Sequence, residues 1–305
     1  MLLLGFADDV LDLRWRHKLL LPSLASLPLL MTYFVNSDFT VVIMPAFIRP
    51  ITGFSLNVGV LYYLYMCMLA VFCTNAINIL AGVNGIECGQ SVIIATSIAI
   101  FNCAELSGSY FKNHLFSLCL ILPYIAVSTA LLRHNWYPSR VFVGDTFCYF
   151  SGMVFAVSAI LGHFSKTLLL FFIPQIFNFL FSCPQLFHLL PCPRHRMPRY
   201  NPETDTLSPS TFLVKRQELK PLPKLILFLA ETFGLCRVTA TVKDGDEKNW
   251  SEVTNFTIIN LLLKITGPFH EEKVTTTLLI IQTVCSALAF LVRYPLANML
   301  YPPVE

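Results

Sequence analysis

The chain has 305 residues, of which 55% are apolar and 13% charged, with a net charge of +3 and a mean hydropathy of +0.64. A soluble domain carries about 25% charged residues, so this composition excludes an ordinary soluble protein and points to an integral membrane one. The small net charge says little about nucleic acid, which is not among the expected partners. The ten cysteines are scattered singly, mostly in apolar runs, which excludes a disulfide framework or a paired-cysteine zinc site in favour of buried free thiols.

The chain opens on charge. Residues 5–18, GFADDVLDLRWRHK, follow the apolar Leu2-Leu3-Leu4, so residues 1–7 read as the end of a membrane helix. Asp8, Asp9 and Asp12 then sit at its water-facing end, beside Arg14, Arg16 and Lys18. Charge at a membrane edge marks a functional site; the plainer reading is a polar helix end whose basic groups grip lipid phosphates. Runs of about 20 apolar residues then predict seven complete spans. They lie at 19–35, 59–81, 88–107, 115–132, 146–162, 167–190 and 274–292, with interior Pro22, Pro28, Pro123 and Pro174 tolerated as kinks.

Counting crossings from Asp8 returns residues 82–87, 133–145 and 191–273 to its side and sends 36–58, 108–114, 163–166 and 293–305 to the other. The Asp8 side then holds Arg14, Arg16, Lys18, Arg133, Arg140 and the many Lys and Arg of 191–273; the other has only Arg49, Lys112, Lys166 and Arg293. The positive-inside rule makes the Asp8 side cytosolic. Within 191–273, residues 194–221 are rich in Pro, Ser and Thr and read as irregular. Residues 237–242, a polar turn at 243–249 and residues 253–263 read as a β-hairpin. Asn249-Trp-Ser and Asn255-Phe-Thr match the glycan acceptor pattern but should stay unmodified on a cytosolic loop.

The expected fold class is an all-α polytopic membrane protein, about seven complete spans plus the end of an eighth, with a small cytosolic β-hairpin-containing insertion. Residues 1–190 form the transmembrane bundle, 191–273 the cytosolic loop or small α+β insertion, and 274–305 the last transmembrane helix and tail.

Four polar clusters fall on the cytosolic side. Besides the aspartate segment they are NAINILAGVNGIE (75–87), VFVGDTF (141–147) and RHRMPRYN (194–201). Asn75 and Asn78 share a helix face, and Gly82 and Gly85 suit a tight turn. Each cluster also has a structural reading: interhelical hydrogen bonding for the asparagines, a helix N-cap for Asp145, and a lipid-binding patch for Arg194, His195 and Arg196. Together, carboxylates and an amide oxygen suit Mg²⁺ or Mn²⁺, and the basic run with Lys18 suits phosphate charge. That set fits metal-assisted phosphoryl transfer at a membrane surface. A proton-coupled transporter would place its charges nearer the midplane.

These four segments, in this order, resemble the polyprenyl-phosphate N-acetylhexosamine-1-phosphate transferase family, and within it the eukaryotic branch that uses dolichyl phosphate. The resemblance implies attack of dolichyl phosphate on the β-phosphorus of UDP-GlcNAc, giving GlcNAc-pyrophosphoryl-dolichol and UMP. This is the first step of the lipid-linked oligosaccharide for protein N-glycosylation, at the cytosolic face of the endoplasmic reticulum membrane. It implies that Asn78 and Asp145 hold Mg²⁺, with Mn²⁺ as the alternative. Lys18, with Val71, Asn75 and Ile79, would contact the dolichyl phosphate; Asn84, Phe142 and the backbone near Gly82 would hold uridine. Arg194 would meet the pyrophosphate, and His195 and Arg196 the N-acetylglucosamine. Asp8 and Asp9 match the family's aspartate pair, which with Lys18 makes the catalytic set: Asp8 to orient or deprotonate the acceptor, Asp9 to support Lys18 or the metal shell. A phosphate monoester is already largely ionised at neutral pH, so base catalysis is a small contribution. Trp15 would line the acceptor groove or anchor at the interface. The implied partners are UDP-GlcNAc, dolichyl phosphate, membrane lipid and a second copy in a homodimer. Family members carry further spans and a cytosolic loop ahead of the aspartate motif. The resemblance therefore also implies activity far below that of a complete member, the alternative being an inactive membrane fragment that serves as an interaction partner.

Overall fold

The computed structural model describes residues 1–11, 13, 15–36, 40–193, 195–243 and 246–301, the side chains of residues 15, 52, 241–249, 298 and 300 excepted. Asp12, Arg14 and Arg194 lie outside the described residues, as does the side chain of Trp15. The apolar runs form helices, the one open-chain structure that satisfies its own backbone in hydrocarbon. In chain order they begin with α1 (Leu2–Leu11) and α2 (Trp15–Asn36), followed by a small hairpin, β1 (Val41–Ile43) and β2 (Ser55–Asn57), around the short α3 (Arg49–Thr52). Then come α4 (Val60–Ile79), α5 (Ile86–Glu105), α6 (Phe111–Asn135), α7 (Gly144–Leu161), α8 (Ser165–Phe171) and α9 (Ile173–Leu186). The insertion holds β3 (Arg199–Asn201), β4 (Thr206–Ser208), β5 (Thr211–Lys215), α10 (Pro221–Thr232), β6 (Val238–Lys243), β7 (Asp246–Thr254) and α11 (Ile258–Thr266). α12 (Glu271–Leu291) runs through a π-helical turn, Val292–Leu296, into α13 (Ala297–Leu300).

Among the described residues, six helices are long and apolar enough to cross a membrane: α2, α4, α5, α6, α7 and the α12 run. The span expected at 167–190 is not one straight helix. It is the pair α8 and α9, bent by 74° at Phe172. Pro174 is the reason: it lacks an N–H and its ring collides with the preceding turn, so the helix must restart there. The Phe171 carbonyl, left open by the bend, is satisfied from another helix, accepting the Gln282 amide at 2.9 Å. Gln175 in turn donates to Gln90 and Gln282, each at 2.8 Å, so a buried amide network binds the break to its neighbours. The pair still passes from one face to the other. Phe164, at its start, packs on Phe101 and His114, whereas Asn178 donates to Ile79 at the end of α4.

The two faces are each tied together by polar contacts. On one, Tyr294 and Arg293 meet Glu105, and Asn113 donates to the Leu161 carbonyl. On the other, the 82–87 turn, the α6–α7 loop and the insertion converge: Glu271 accepts from the Asn84 N–H, Thr275 donates to the Asn84 carbonyl, and Trp136 donates to Glu272. The described residues of all four motifs lie on this second face, as the parity count expected. The first helix runs on to Leu11, so Asp8 and Asp9 ride on it rather than beyond its end. It meets α7 closely because Gly5 has no side chain: a Cβ there would sit 2.4 Å from the Thr146 Cα.

The insertion corrects two expectations. The stretch expected to be irregular, 194–221, contains β3, β4 and β5 among its described residues, and β5 pairs with β7 in a sheet ordered β5-β7-β6. A strand whose partner lies some forty residues away leaves little local signal. The hairpin exists, but its second strand is Asp246–Thr254, and most of 253–263 is the helix α11, which the Thr257 side chain caps by accepting from the Asn260 N–H. Leu190, Phe212, Val214, Leu227, Val253 and Phe256 form the insertion's own apolar core. Asn255 is buried, donating to Ser210 and accepting from Gln185, which leaves it no room to carry a glycan. All ten cysteines are free thiols.

Asp205 fastens the insertion to the α6–α7 loop, accepting from the hydroxyls of Tyr137 and Tyr200 and meeting the ring of His270. The Tyr200 hydroxyl, then Tyr137 and His270, hold its carboxyl below the usual carboxylate range. A depressed folded pKa gives stability that is present above the unfolded value of about 4 and lost as pH falls through the folded one. Hydrogen exchange in β3 and β4 should therefore speed up as pH falls below about 4, once rates are corrected for intrinsic pH dependence. Asp205→Asn should remove that step, and a step of the same size in the variant would show that the latch lies elsewhere.

Candidate active site

The aspartate pair divides its labour in a way the sequence does not show. Asp8 is 4% exposed; its Oδ1 accepts the Leu13 N–H at 3.0 Å, and its Oδ2 accepts the Tyr149 hydroxyl at 3.0 Å. The same Oδ2 holds the Lys18 Nζ at 2.9 Å. Asp9 points instead at the start of α7, where Oδ1 accepts the Asp145 N–H at 2.7 Å and Oδ2 accepts the Thr146 N–H at 3.1 Å and its hydroxyl at 2.8 Å. This is a helix cap supplied from another helix: the first N–H groups of α7 have no partner of their own, and an anion suits that end of the dipole. Of the two supports expected of Asp9, the contact with Lys18 belongs to Asp8, and Asp9 fixes the backbone of Asp145. Asp9→Ala should cost about 1–2 kcal/mol, the upper range for a lost cap, read as a lower midpoint of thermal unfolding. An unchanged midpoint would contradict the cap.

Asp145 is not a cap. Val143 occupies the N-cap position of α7 and no side chain caps from there, so the capping half of the structural reading falls, while Asp145 keeps its place in the first turn, where a negative charge suits the dipole. Its carboxylate is half-buried, 3.8 Å from the Lys18 Nζ, and its charge faces those of Asp8, Asp9 and Lys18. Lys18 thus bridges two carboxylates, and its carbonyl accepts the Asn75 amide at 3.2 Å. Asn75, bonded also to the Val71 carbonyl, ties the start of α2 to α4. Asn78 lies half-buried one turn beyond Thr74 on α4, with Val71 and Ile79 also half-buried.

The 82–87 turn is built tightly. The Gly82 N–H donates to Glu87 Oε1 at 3.1 Å, that of Asn84 to Glu271 at 2.7 Å, and that of Gly85 to Asn135 at 3.0 Å. These backbone donors are occupied within the protein, which leaves the Asn84 side chain as the group the turn presents. Met197 packs on Gly82, bringing the last motif over the turn. Phe142 is 90% exposed, an aromatic face standing in solvent ahead of α7. His195 is exposed as well. Arg196 is different: its carbonyl is held by Ser210 and Asn260, its guanidinium is half-buried, and burial lowers its pKa. Among the described residues, its buried Nη1 has no partner. A buried guanidinium nitrogen left unpaired is costly and suits an incoming anion.

Sequence reasoning missed Tyr149, Glu87, Asn135 and Glu271, the groups that hold Asp8 and the turn. Two had a signal: Glu87 closes the 75–87 cluster but was given no role, and Tyr149 stands four residues after Asp145 on the same helix face. Among the described residues no three His, Cys, Asp or Glu side chains are grouped to hold a metal ion.

A helical membrane bundle that gathers carboxylates, a bridging lysine and an unpaired arginine on one face defines a membrane-embedded group-transfer protein. Residues 1–163 match glycosyl transferase family 4, and the chain belongs to that family. It is 47% identical over 305 residues to the UDP-N-acetylglucosamine–dolichyl-phosphate N-acetylglucosaminephosphotransferase of Schizosaccharomyces pombe, covering 98% of this chain and 68% of that protein. It is 49% identical to the Dictyostelium discoideum protein of the same name (96% of this chain, 66% of that one) and 46% to that of Saccharomyces cerevisiae (98% and 67%). The chain thus spans about two thirds of the length of these curated relatives.

Proposed function

We propose that the protein transfers N-acetylglucosamine-1-phosphate from UDP-GlcNAc to dolichyl phosphate, giving GlcNAc-pyrophosphoryl-dolichol and UMP. The observation that carries this reading is Lys18 between Asp8 at 2.9 Å and Asp145 at 3.8 Å, with Asp9 fixing the Asp145 backbone. The names of the relatives supply the substrates. One phosphoanhydride replaces another, so catalysis rests on positioning and charge neutralisation.

Lys18 offers its ammonium to the acceptor phosphate, and Asp8 and Tyr149 hold the Asp8–Lys18 pair in place. Arg196, with Arg194 and His195, receives the pyrophosphate and sugar. Phe142 stacks on uracil, since every base offers a π-face, and the Asn84 amide bonds its edge. Mg²⁺ keeps several waters and binds through one or two carboxylates plus substrate phosphates rather than an all-protein cage. The donor set here fits that habit: Asp145 and Asn78 would hold Mg²⁺, or Mn²⁺, arriving with the pyrophosphate. Bound there, it would neutralise charge on the phosphates. The excess of Lys and Arg on the motif face supports a cytosolic orientation, and the dolichyl substrate supports the endoplasmic reticulum membrane. A homodimer is part of the same reading.

The test is release of UMP by the purified 305-residue chain from UDP-GlcNAc, dolichyl phosphate and Mg²⁺. Release that requires all three supports the reading. None, from a chain shown by circular dichroism to be helical, would overturn it for this polypeptide.

A further inference from the structure

The last turn of α6 and the loop after it border a half-open cavity of about 370 Å³, lined by Arg133, His134, Trp136, Tyr137, Pro138 and Arg140, whose three basic residues are exposed. Cations at a helix C-terminus complement the dipole, which accounts for Arg133 and His134. It does not account for Arg140, which lies beyond the helix and is folded back by its own N–H donating to the His134 carbonyl at 2.8 Å. The buried Asn135 fixes the same fold, donating to the Val141 carbonyl at 3.0 Å.

No carboxylate lines the cavity, although three lie close by and are engaged elsewhere. Glu272 accepts the Trp136 indole N–H at 3.2 Å, Glu271 the Asn84 N–H, and Asp205 the hydroxyl of Tyr137. The acids that would neutralise the cations instead hold the aromatic walls. Among the described residues, the side chains of Arg133, His134 and Arg140 have no hydrogen-bond or ion-pair partner. The two guanidinium groups and the imidazole come from two different segments and face one hollow bordered by rigid rings. Its volume lies in the lower range of small-molecule pockets, about 300–1,000 Å³, larger than a bare phosphate needs. It sits where a spanning helix leaves the membrane, the depth at which basic pockets receive anionic head groups.

We propose that this cavity is a second anion site, for an organic phosphate group, separate from the residues assigned to the substrates. Guanidinium groups of Arg133 and Arg140 grip the phosphate oxygens, as paired arginines do, and Trp136 and Tyr137 cover the organic part. An anionic phospholipid head group and a soluble phosphate ester share this chemistry. Trp136 also packs on Gly85, so the site shares a wall with the 82–87 turn. The proposal stands on the cavity and does not depend on the transferase reading.

Trp136 is a built-in reporter. With Trp15→Phe and Trp250→Phe it is the sole tryptophan of the full chain, whose fluorescence in neutral detergent is titrated with dioctanoyl phosphatidic acid, dioctanoyl phosphatidylcholine and glycerol phosphate. A saturable change with phosphatidic acid but not phosphatidylcholine, weakened at least about tenfold by Arg133→Gln with Arg140→Gln (each cation contact being worth roughly a factor of ten), supports the site with a lipid occupant. The same saturation and the same weakening with glycerol phosphate support it with a soluble one. No saturable change with either phosphate probe, or equal affinity in the double variant, overturns it. Should the double variant lose its helical circular dichroism, His134→Gln and Arg140→Gln singly make the same test.

Discussion

Asp145→Ala should lower turnover by about 10³-fold or more, the scale expected when a group central to charge stabilisation is removed, while the bundle stays folded. The expectation of intact folding is structural. The Asp145 side chain caps nothing, and the α7 N-terminus is held by Asp9 through backbone N–H groups that alanine retains. Lys18 keeps its closer partner, Asp8 at 2.9 Å, when the 3.8 Å contact is lost. Removing one carboxylate from among three also relieves like-charge repulsion. Stability should shift by less than about 1 kcal/mol. UMP release and the midpoint of thermal unfolding, measured on one preparation, decide the matter. Normal turnover would remove Asp145 from the site, and a collapsed midpoint would make its role structural.

Gly152→Val should destabilise the bundle by about 3 kcal/mol or more, the upper end for overpacking, and abolish transfer with it. A Cβ at Gly152 would lie 2.3 Å from the Cys73 carbonyl oxygen and 2.4 Å from the Thr74 Cα. These are backbone atoms of α4, and no rotamer change moves them aside. The helices must separate where α4 and α7 cross. Asn78 lies one turn beyond that crossing on α4, and Asp145 about two turns before it on α7. Prying the crossing open therefore parts the two residues that would share the metal. Gly152→Ala should show the same losses to a smaller degree. An alanine variant with wild-type thermal midpoint and wild-type UMP release would show that the helices do not approach as described.

The candidate site was half legible. The sequence singled out Asp8, Asp9, Lys18, Asn78, Asn84, Asp145 and Arg196 because polar clusters are rare in so apolar a chain and because their four segments resemble the family. What each does was not legible. Asp8 and Asp9 are adjacent and chemically identical, yet one holds a lysine and the other caps a helix 136 residues away in the chain. The rotation of α1 against α7 makes that choice, and nothing local encodes it. The supporting shell was almost invisible for the same reason: Glu87, Asn135 and Glu271 look like ordinary polar residues until the 82–87 turn folds against them.

By itself the sequence determined where the chain crosses the membrane, because hydrocarbon rejects polar groups whatever the tertiary context. It also determined that every polar motif returns to one face, since that follows from counting crossings. Only the tertiary structure decided the break at Phe172, where the glutamine of a distant helix satisfies the Phe171 carbonyl that the break leaves open. It alone decided that β5 joins β7, and that Asp9 rather than Asp145 closes the end of α7. Hydropathy is a property of each residue, whereas a hydrogen bond needs two; where the partner lies far along the chain, only packing brings it near.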